Sequence, residues 1–374
     1  MYSTAIAVFI FFFVFFSYIH VTNCWKTSDD LELYETDYVS SVQIQETVAV
    51  KQPVLFKLPL DDAKSRVHQF CEKFRISQME KYDNIDVRVK TANDYFEETN
   101  ITQSVGVESV HLPLRSAQTL LATDTYSKYF SENNGEFMEE TNLDGFAASH
   151  LDPLLKPPLV VFSQYDVVFG SPRAVTPLRY HNHYQRYLAV ASGKIRVKMC
   201  PPKYRKTLDI IEDYDHYEFW STLRVWSPYE SLSKGDKERI DRVKMLEFDV
   251  YAGHVLFVPP YWLYSIRFSG DADTTVCSIT YDTAASIAAN AKPLAIHLVQ
   301  RTQTKTVVTH IKSNTSLMED EPRDDPTKTT VTPGFRTGWE MESVETINAT
   351  IAPPEITEKK GPTEIVTNAG VYKV

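Results

Sequence analysis

Residues 186–200 read RYLAVASGKIRVKMC, and this stretch decides the class of fold. Ile195, Val197 and Met199 are apolar while Lys194, Arg196 and Lys198 between them are charged. That is the period-two signature of a strand with one face on a core and the other in water. Ser192-Gly193 interrupts the alternation, so residues 186–200 are expected to form a hairpin turning at that pair. Outward from it the same character continues. Leu159–Phe169 is rich in Val and Phe; Leu246, Phe248 and Val250 alternate; His254–Val258, Ser265–Phe268 and Thr274–Tyr281 complete the set. Short strands punctuated by Gly and Pro predict a mainly β sandwich or barrel. The 21 Tyr and 20 Phe supply residues that fill such a core well.

Toward the N-terminus the periodicity changes. Val67, Phe70, Cys71 and Phe74 follow i, i+3, i+4, i+7 spacing, which predicts a helix over Asp61–Tyr82 capped by Asp61 or Asp62. Val54–Phe56 and Val87–Val89 flank it as short strands, and Leu114, Ala117 and Leu121 indicate a second helix. Asp209–Trp220, with its acids, His216 and Tyr217, is expected to be a surface excursion between barrel strands. Ala284–Val299 is expected to close the domain as one helix interrupted near Pro293. From residue 301 to 374 the chain is polar, with Phe335, Trp339 and Tyr372 as its aromatics. So little apolar surface cannot offset the entropy of ordering, and a disordered tail is expected.

The chain of 374 residues carries a formal net charge of −10, which gives no general attraction for phosphate backbones and argues against a nucleic-acid partner. Cys24, Cys71, Cys200 and Cys277 are too few and too scattered for a disulfide scaffold, and none forms a CxxC pair. Ala5–Ile19 is an uncharged apolar run of about fifteen residues, short of the roughly twenty that span a bilayer. Thr22 and Cys24 place small residues ahead of Trp25, so residues 1–24 are expected to be a secretory signal, or alternatively an uncleaved signal anchor. Only in the second case would the membrane be a partner. Asn100, Asn314 and Asn348 head three Asn-x-Ser/Thr sequons and become candidate glycosylation sites in a lumenal chain.

Two segments carry a family resemblance. One runs Gly170-Ser-Pro-Arg-Ala-Val-Thr176-Pro177-Leu178-Arg179-Tyr180-His181, continuing through Gly193-Lys194 to Pro201-Pro202. The other runs Ala252-Gly253-His254-Val-Leu-Phe-Val-Pro259-Pro260-Tyr261-Trp262-Leu263-Tyr264. Together they resemble the JmjC, or cupin-like, domain of iron(II)- and 2-oxoglutarate-dependent oxygenases. Val87–Tyr95, His111-Leu-Pro-Leu, Asp124-Thr-Tyr and Asn133-Asn134 extend the likeness toward a small JmjC member of the endoplasmic reticulum lumen. The resemblance implies a double-stranded β-helix of the jelly-roll, JmjC type with flanking N-terminal helices. It divides the chain into an N-terminal α+β part at 25–154, a barrel at 155–283, a closing helix at 284–300 and the tail at 301–374.

The departures from that family bear on chemistry. Catalytic members hold iron with a His-x-Asp pair after the Thr-Pro-Leu and with a His that ends the later strand. The matching positions here are Arg179, His181 and Tyr264. Arginine offers no lone pair and fixes a positive charge. Histidine can ligate, whereas a tyrosine must first ionise from a free pKa of about 10. His254 stands where an Asp usually follows the later glycine. For the 2-oxoglutarate carboxylate, counting from Thr176 selects Lys194, while counting back from Pro201-Pro202 selects Ile195; the alternation favours the second. His181 and His183 could share one strand face and hold zinc, but no third ligand is visible. Tyr261 and Trp262 read as packing residues.

The expectation is therefore a non-catalytic JmjC-like protein of the endoplasmic reticulum lumen, or secreted, without catalytic or metal residues and without a cofactor. It would act by binding proteins of the secretory pathway. One alternative is an oxygenase using iron(II) and 2-oxoglutarate with an atypical metal set. The other is a barrel that binds a small carboxylate at Arg179; against it stands the simpler arrangement in which Arg179 pairs with a nearby acid.

Overall fold

The computed structural model describes residues 2–59, 65–96, 107–270 and 273–303. Asn100, Asn314, Asn348, the expected caps Asp61 and Asp62, and the tail from residue 304 lie outside the described residues. In chain order the strands are β1 (Tyr34–Asp37), β2 (Val54–Lys57), β3 (Asp86–Thr91), β4 (Val110–Pro113), β5 (Tyr129–Ser131), β6 (Val160–Gly170), β7 (Leu178–Tyr180) and β8 (Gln185–Ser192). They continue with β9 (Lys194–Cys200), β10 (Ile210–Asp213), β11 (Glu218–Ser221), β12 (Leu246–Tyr251), β13 (His254–Val258), β14 (Leu263–Phe268) and β15 (Thr275–Thr283). Two sheets face each other, one ordered β1-β2-β13-β8-β15-β6-β5-β3-β4 and the other β10-β11-β7-β14-β9-β12. This is the expected jelly-roll architecture, and β2, β3, β4 and β5 build the N-terminal part into the larger sheet.

The alternation in 186–200 is correct, but its expected pairing is not. β8 lies between β13 and β15 in the larger sheet, and β9 lies between β14 and β12 in the smaller one. The chain crosses between sheets at Gly193, where φ is +67° and an added Cβ would meet the Thr274 Cα at 2.9 Å. Only glycine combines that conformation with that approach. Hence Leu188 and Val190 face Ile195, Val197 and Met199 across the barrel interior. Val168, Leu256, Trp262, Tyr264, Ile266 and Val276 complete this inner core.

Helix α1 (Tyr2–Cys24) stands exposed, while the outer face of the larger sheet carries α2 (Ser41–Val48), α3 (Arg66–Lys73), α4 (Leu114–Thr123), α5 (Gly135–Glu140) and α6 (Leu143–Leu155). Phe70 and Phe74 around α3, Phe137 on α5 and Leu151 on α6 pack with Tyr165, Tyr187, Ile279 and Tyr281. Each fully buried apolar side chain of this size contributes about 1.5–3 kcal/mol. Asp152 on α6 accepts from the hydroxyls of Tyr165 (2.5 Å) and Tyr281 (2.7 Å), which ties the helix to the sheet. α3 is shorter than expected. Ser65 caps it through the His68 N–H, and two single 3₁₀ turns, Ile76–Gln78 and Glu80–Tyr82, follow.

Three further expectations change. Asp209–Trp220 is not a surface excursion: β10 and β11 pair, β11 pairs with β7, and Trp220 is buried. α7 (Lys234–Arg242) then precedes β12. The closing segment is two helices, α8 (Ala284–Ala289) and α9 (Ala291–Gln303), broken at Asn290 rather than Pro293. Pro293 sits in the first turn of α9, where its missing N–H costs nothing, and the Asn290 amide instead donates to Asn182 and Ser286 carbonyls. α1 is also longer than the Ala5–Ile19 apolar run. Its apolar window Thr4–Cys24 has 21 residues, about 32 Å at 1.5 Å per residue, which matches a bilayer core. At its foot Cys24 is buried and the Trp25 indole donates to the Ala289 carbonyl at 3.1 Å. Among the described residues all four cysteines are buried free thiols.

Candidate functional site

An open cavity of ≈1730 Å³ enters the barrel between the sheets. Arg179, His181 and Tyr264 all line it. Arg179 on β7 and Tyr264 on β14 are direct cross-strand partners, and the His181 and Tyr264 rings lie 6.3 Å apart. The structure thus brings together the three positions singled out in the sequence.

Arg179 is fully engaged at one end. Its two terminal nitrogens donate to the two Glu132 oxygens as a bidentate pair, one bond measuring 2.5 Å. Lys90 on β3 donates to Glu132 at 3.2 Å, to the Tyr95 hydroxyl at 3.1 Å and to Glu218. Glu218 on β11 also accepts from Tyr95 (2.9 Å) and from the Asn133 amide (2.8 Å). Two cations and two carboxylates therefore form one closed network that bridges the sheets. Burial alone would raise the Glu132 pKa, but Arg179 and Lys90 outweigh it and hold the carboxyl at about 2. Buried charges are tolerated when paired and hydrogen-bonded in this way.

His181 follows the end of β7 and is 4 % exposed. Its Nε2–H donates to the Val258 carbonyl at 3.0 Å, which leaves Nδ1 as a lone pair, and no partner for Nδ1 exists among the described residues. Burial first, then the nearby Arg186 charge, pushes its pKa well below the usual imidazole range, so it is neutral. His183 Nδ1 donates to Asp282 at 2.6 Å, and Asp282 also accepts from the Tyr184 N–H and the Ser286 hydroxyl. The two rings stack at 5.8 Å, although β7 has ended by then and they do not share a strand face.

Lys194 points outward, 3.8 Å from Asp249, whereas Ile195 is buried in the inner core. The count back from Pro201-Pro202 is the one that identifies the inward side chain. Trp262 is fully buried with its indole donating to the Ser28 carbonyl at 3.1 Å, and Tyr261 reaches Asn290 at 3.2 Å; both act in packing. His254 opens β13.

Sequence reasoning missed Glu132, Lys90, Glu218 and Arg186. Glu132 immediately precedes Asn133-Asn134, and Lys90 falls inside Val87–Tyr95, both segments already singled out. Glu218 lay in the segment read as a surface excursion. No signal short of strand pairing would have placed them beside Arg179.

This donor set does not fit a divalent cation. Arg179 brings a paired guanidinium, Tyr264 a hydroxyl that accepts from Arg186 at 3.0 Å, and His181 a single lone pair. Among the described residues no three His, Cys, Asp or Glu side chains gather closely enough to hold a metal ion. Among known families, the model of the cupin-like domain matches residues 39–290. No curated protein matches the sequence.

Proposed function

The chain belongs to the cupin-like domain family, and we propose that it is a non-catalytic member that acts by binding other proteins of the secretory pathway. One observation carries this reading: the Arg179 guanidinium, at the position where the resemblance puts the first metal ligand, is locked onto buried Glu132. A cation entering there would meet a fixed positive charge and would have to break that pair. The apolar helix α1 supports entry into the secretory pathway, with a lumenal or secreted body if the chain is cleaved after Cys24 and an anchored one if it is not. The segments around Val87–Tyr95 and Asn133-Asn134 support the finer likeness to JmjC domain-containing protein eight, a lumenal protein.

The test has two arms. Protein expressed through the secretory pathway and given iron(II) and 2-oxoglutarate should release no succinate and retain no stoichiometric iron. Micromolar iron(II) affinity with succinate release would replace this proposal by the oxygenase reading. In sealed microsomes, cross-linking should yield discrete heteromeric adducts on the protease-protected protein. Protein that cross-links only to itself would remove the binding half.

A further inference from the structure

Helix α1 is apolar on every side, and none of its Thr4–Cys24 window is buried within the protein. Phe9, Phe11, Phe13 and Phe16 stand exposed along it. A helix without a polar face has no place in water, and the length of this one matches a bilayer core. The polar side chains near its end satisfy themselves. The Thr22 hydroxyl donates to the Tyr18 carbonyl at 2.9 Å, and the Cys24 thiol to the His20 carbonyl at 3.3 Å. That is what a helix needs where water cannot reach it. These features suit an anchor and a removable signal alike. The contacts at the foot of the helix separate the two.

A segment to be discarded has no use for contacts with the folded body, yet α1 is built into it. The helix packs against α8, and Cys24, the last residue before the expected cut, is buried within electrostatic reach of buried Lys51. The Trp25 indole fastens the foot to the Ala289 carbonyl, and no slack follows. The Ser28 carbonyl accepts from the Trp262 indole, Asp29 from the Lys203 N–H at 3.3 Å and Asp30 from the Gln52 amide at 2.9 Å. Strand β1 then enters the larger sheet beside β2. The helical turn also runs through the cleavage motif. The Trp25 N–H, part of the bond that would be cut, donates to the Thr22 carbonyl at 3.3 Å, and no Gly or Pro in residues 1–26 breaks the turn. We propose that α1 is retained as a membrane anchor docked rigidly on the barrel, which sets the α8–α9 edge of the cavity at the surface of the lipid bilayer. Ile287 and Asn290, which flank Ala289, line that cavity, so the elbow that holds the anchor also forms part of the cavity rim. Trp25 suits the boundary, because its ring is exposed at the end of the span, where indoles gather between hydrocarbon and water. The inference rests on the entry into the secretory pathway proposed above and is independent of partner binding.

The experiment uses the full chain in microsomes. The intact mass of the protease-protected protein should include residues 1–24, and alkaline carbonate should leave the protein in the membrane pellet. Docking is read at Lys26, the first Lys or Arg of the chain. In opened microsomes trypsin should cut after Lys26 slowly, because Trp25 and Ser28 are tied to the body on either side of it. Trp25→Phe keeps a ring and loses the donor, whereas Trp25→Ala loses both. Each should speed the cut, Trp25→Ala by about fivefold or more, the size of one hydrogen bond. Carbonate extraction establishes that each variant is inserted. Should Trp25→Ala fail to accumulate, Gln52→Ala, which removes the tie to Asp30, gives the same reading. Protected protein that begins at Trp25 overturns the inference and leaves secretory entry standing. Protein found outside the microsomes removes the entry and the inference with it. Uncleaved protein that is cut after Lys26 at one rate in wild type and variants overturns the rigid docking.

Discussion

The two walls of the barrel cavity hold the same kinds of side chain and treat them in opposite ways. On the β3–β7–β11 side, Lys90 and Arg179 meet Glu132 and Glu218 in direct contact, Tyr95 and Asn133 add hydrogen bonds to the network, and the Arg179 Nε–H is left buried without a partner among the described residues. On the β8–β15 side, Arg186 donates to the Ser278 and Tyr264 hydroxyls, and the buried Asp166 carboxyl lies close enough to feel its charge. The first wall has the character of structure, because every charge is answered by another and removing one orphans its partner. The second is held by neutral hydroxyls, and among the described residues its cation has no direct ion pair.

Breaking the first wall should have the largest effect. Glu132→Gln leaves Arg179 and Lys90 with one carboxylate between them in a buried setting, a change worth about 3–5 kcal/mol of stability. Chemical denaturation should show it as a lower midpoint with an unchanged slope. Replacing the pair together, Glu132→Leu with Arg179→Met, should recover most of that loss, because the desolvation cost goes with the charges. A Glu132→Gln protein as stable as wild type would mean that this wall is no more structural than the other.

The contrast was only half legible in the sequence. The alternation of Ile195, Val197 and Met199 correctly gave the inward face of β9, since strand period is local and needs no tertiary knowledge. The partner of that strand was not local. A Gly at positive φ can close a hairpin or carry a chain between sheets, and only the approach of Thr274 distinguishes the two. Arg179, His181 and Tyr264 were legible because they sit in short segments that resemble a known family. Glu132 and Glu218 were not, because their importance lies in reaching the same point from β5 and β11, 86 residues apart in the chain. The length of α1 was understated for a simpler reason: the count stopped at Ile19, whereas His20, Val21 and Thr22 continue the apolar window without a formal charge at neutral pH.

Next in size comes a pH effect in which two buried groups beside the cavity can be read separately. Burial raises the Asp166 pKa from 3.8 to about 6, so the folded state holds its proton more tightly than the unfolded chain. That contribution is fully present below pH 3.8 and is lost as pH rises toward about 6, at most about 3 kcal/mol for a shift of this size. His181 has the opposite sign. Its folded pKa lies well below 6.5, so the unfolded chain takes up the proton first and stability falls as pH drops below 6.5. Unfolding free energies measured between pH 4 and pH 7 should show the two slopes partly cancelling. Asp166→Asn should then expose a curve that falls steadily toward acid, and His181→Gln, which keeps a donor for the Val258 carbonyl, should expose one that rises toward acid. Identical profiles for the two variants would show that neither group titrates as its surroundings require.

Converting the barrel wall around Arg179 into a metal site is a smaller change. The triple variant Arg179→His, His181→Asp, Tyr264→His removes the fixed positive charge and supplies two imidazoles and a carboxylate, the set that suits iron(II) with open positions. If β7 and β14 hold these positions as they hold Arg179 and Tyr264, iron(II) affinity should rise by about tenfold or more, or roughly 1.4 kcal/mol. Anaerobic titration reads it directly. No gain in a folded triple variant would mean that the wall has lost the geometry as well as the ligands.

The smallest expected change is the most informative about the second wall. Arg186→Gln removes two hydrogen bonds to neutral hydroxyls, each worth about 1 kcal/mol net. It also removes a partly buried positive charge that has no carboxylate in contact, and relieving that desolvation offsets the loss. The glutamine amide can still donate to one of the two hydroxyls. Stability should therefore shift by less than about 1 kcal/mol in either direction, within the range of ordinary substitutions away from structural features. Denaturation of Arg186→Gln alongside Glu132→Gln measures the two walls on one scale. A loss of about 3 kcal/mol or more for Arg186→Gln would place that side chain in the same structural class as Arg179. A near-neutral result leaves Arg186 a side chain that the fold holds in place through Ser278 and Tyr264 without relying on it.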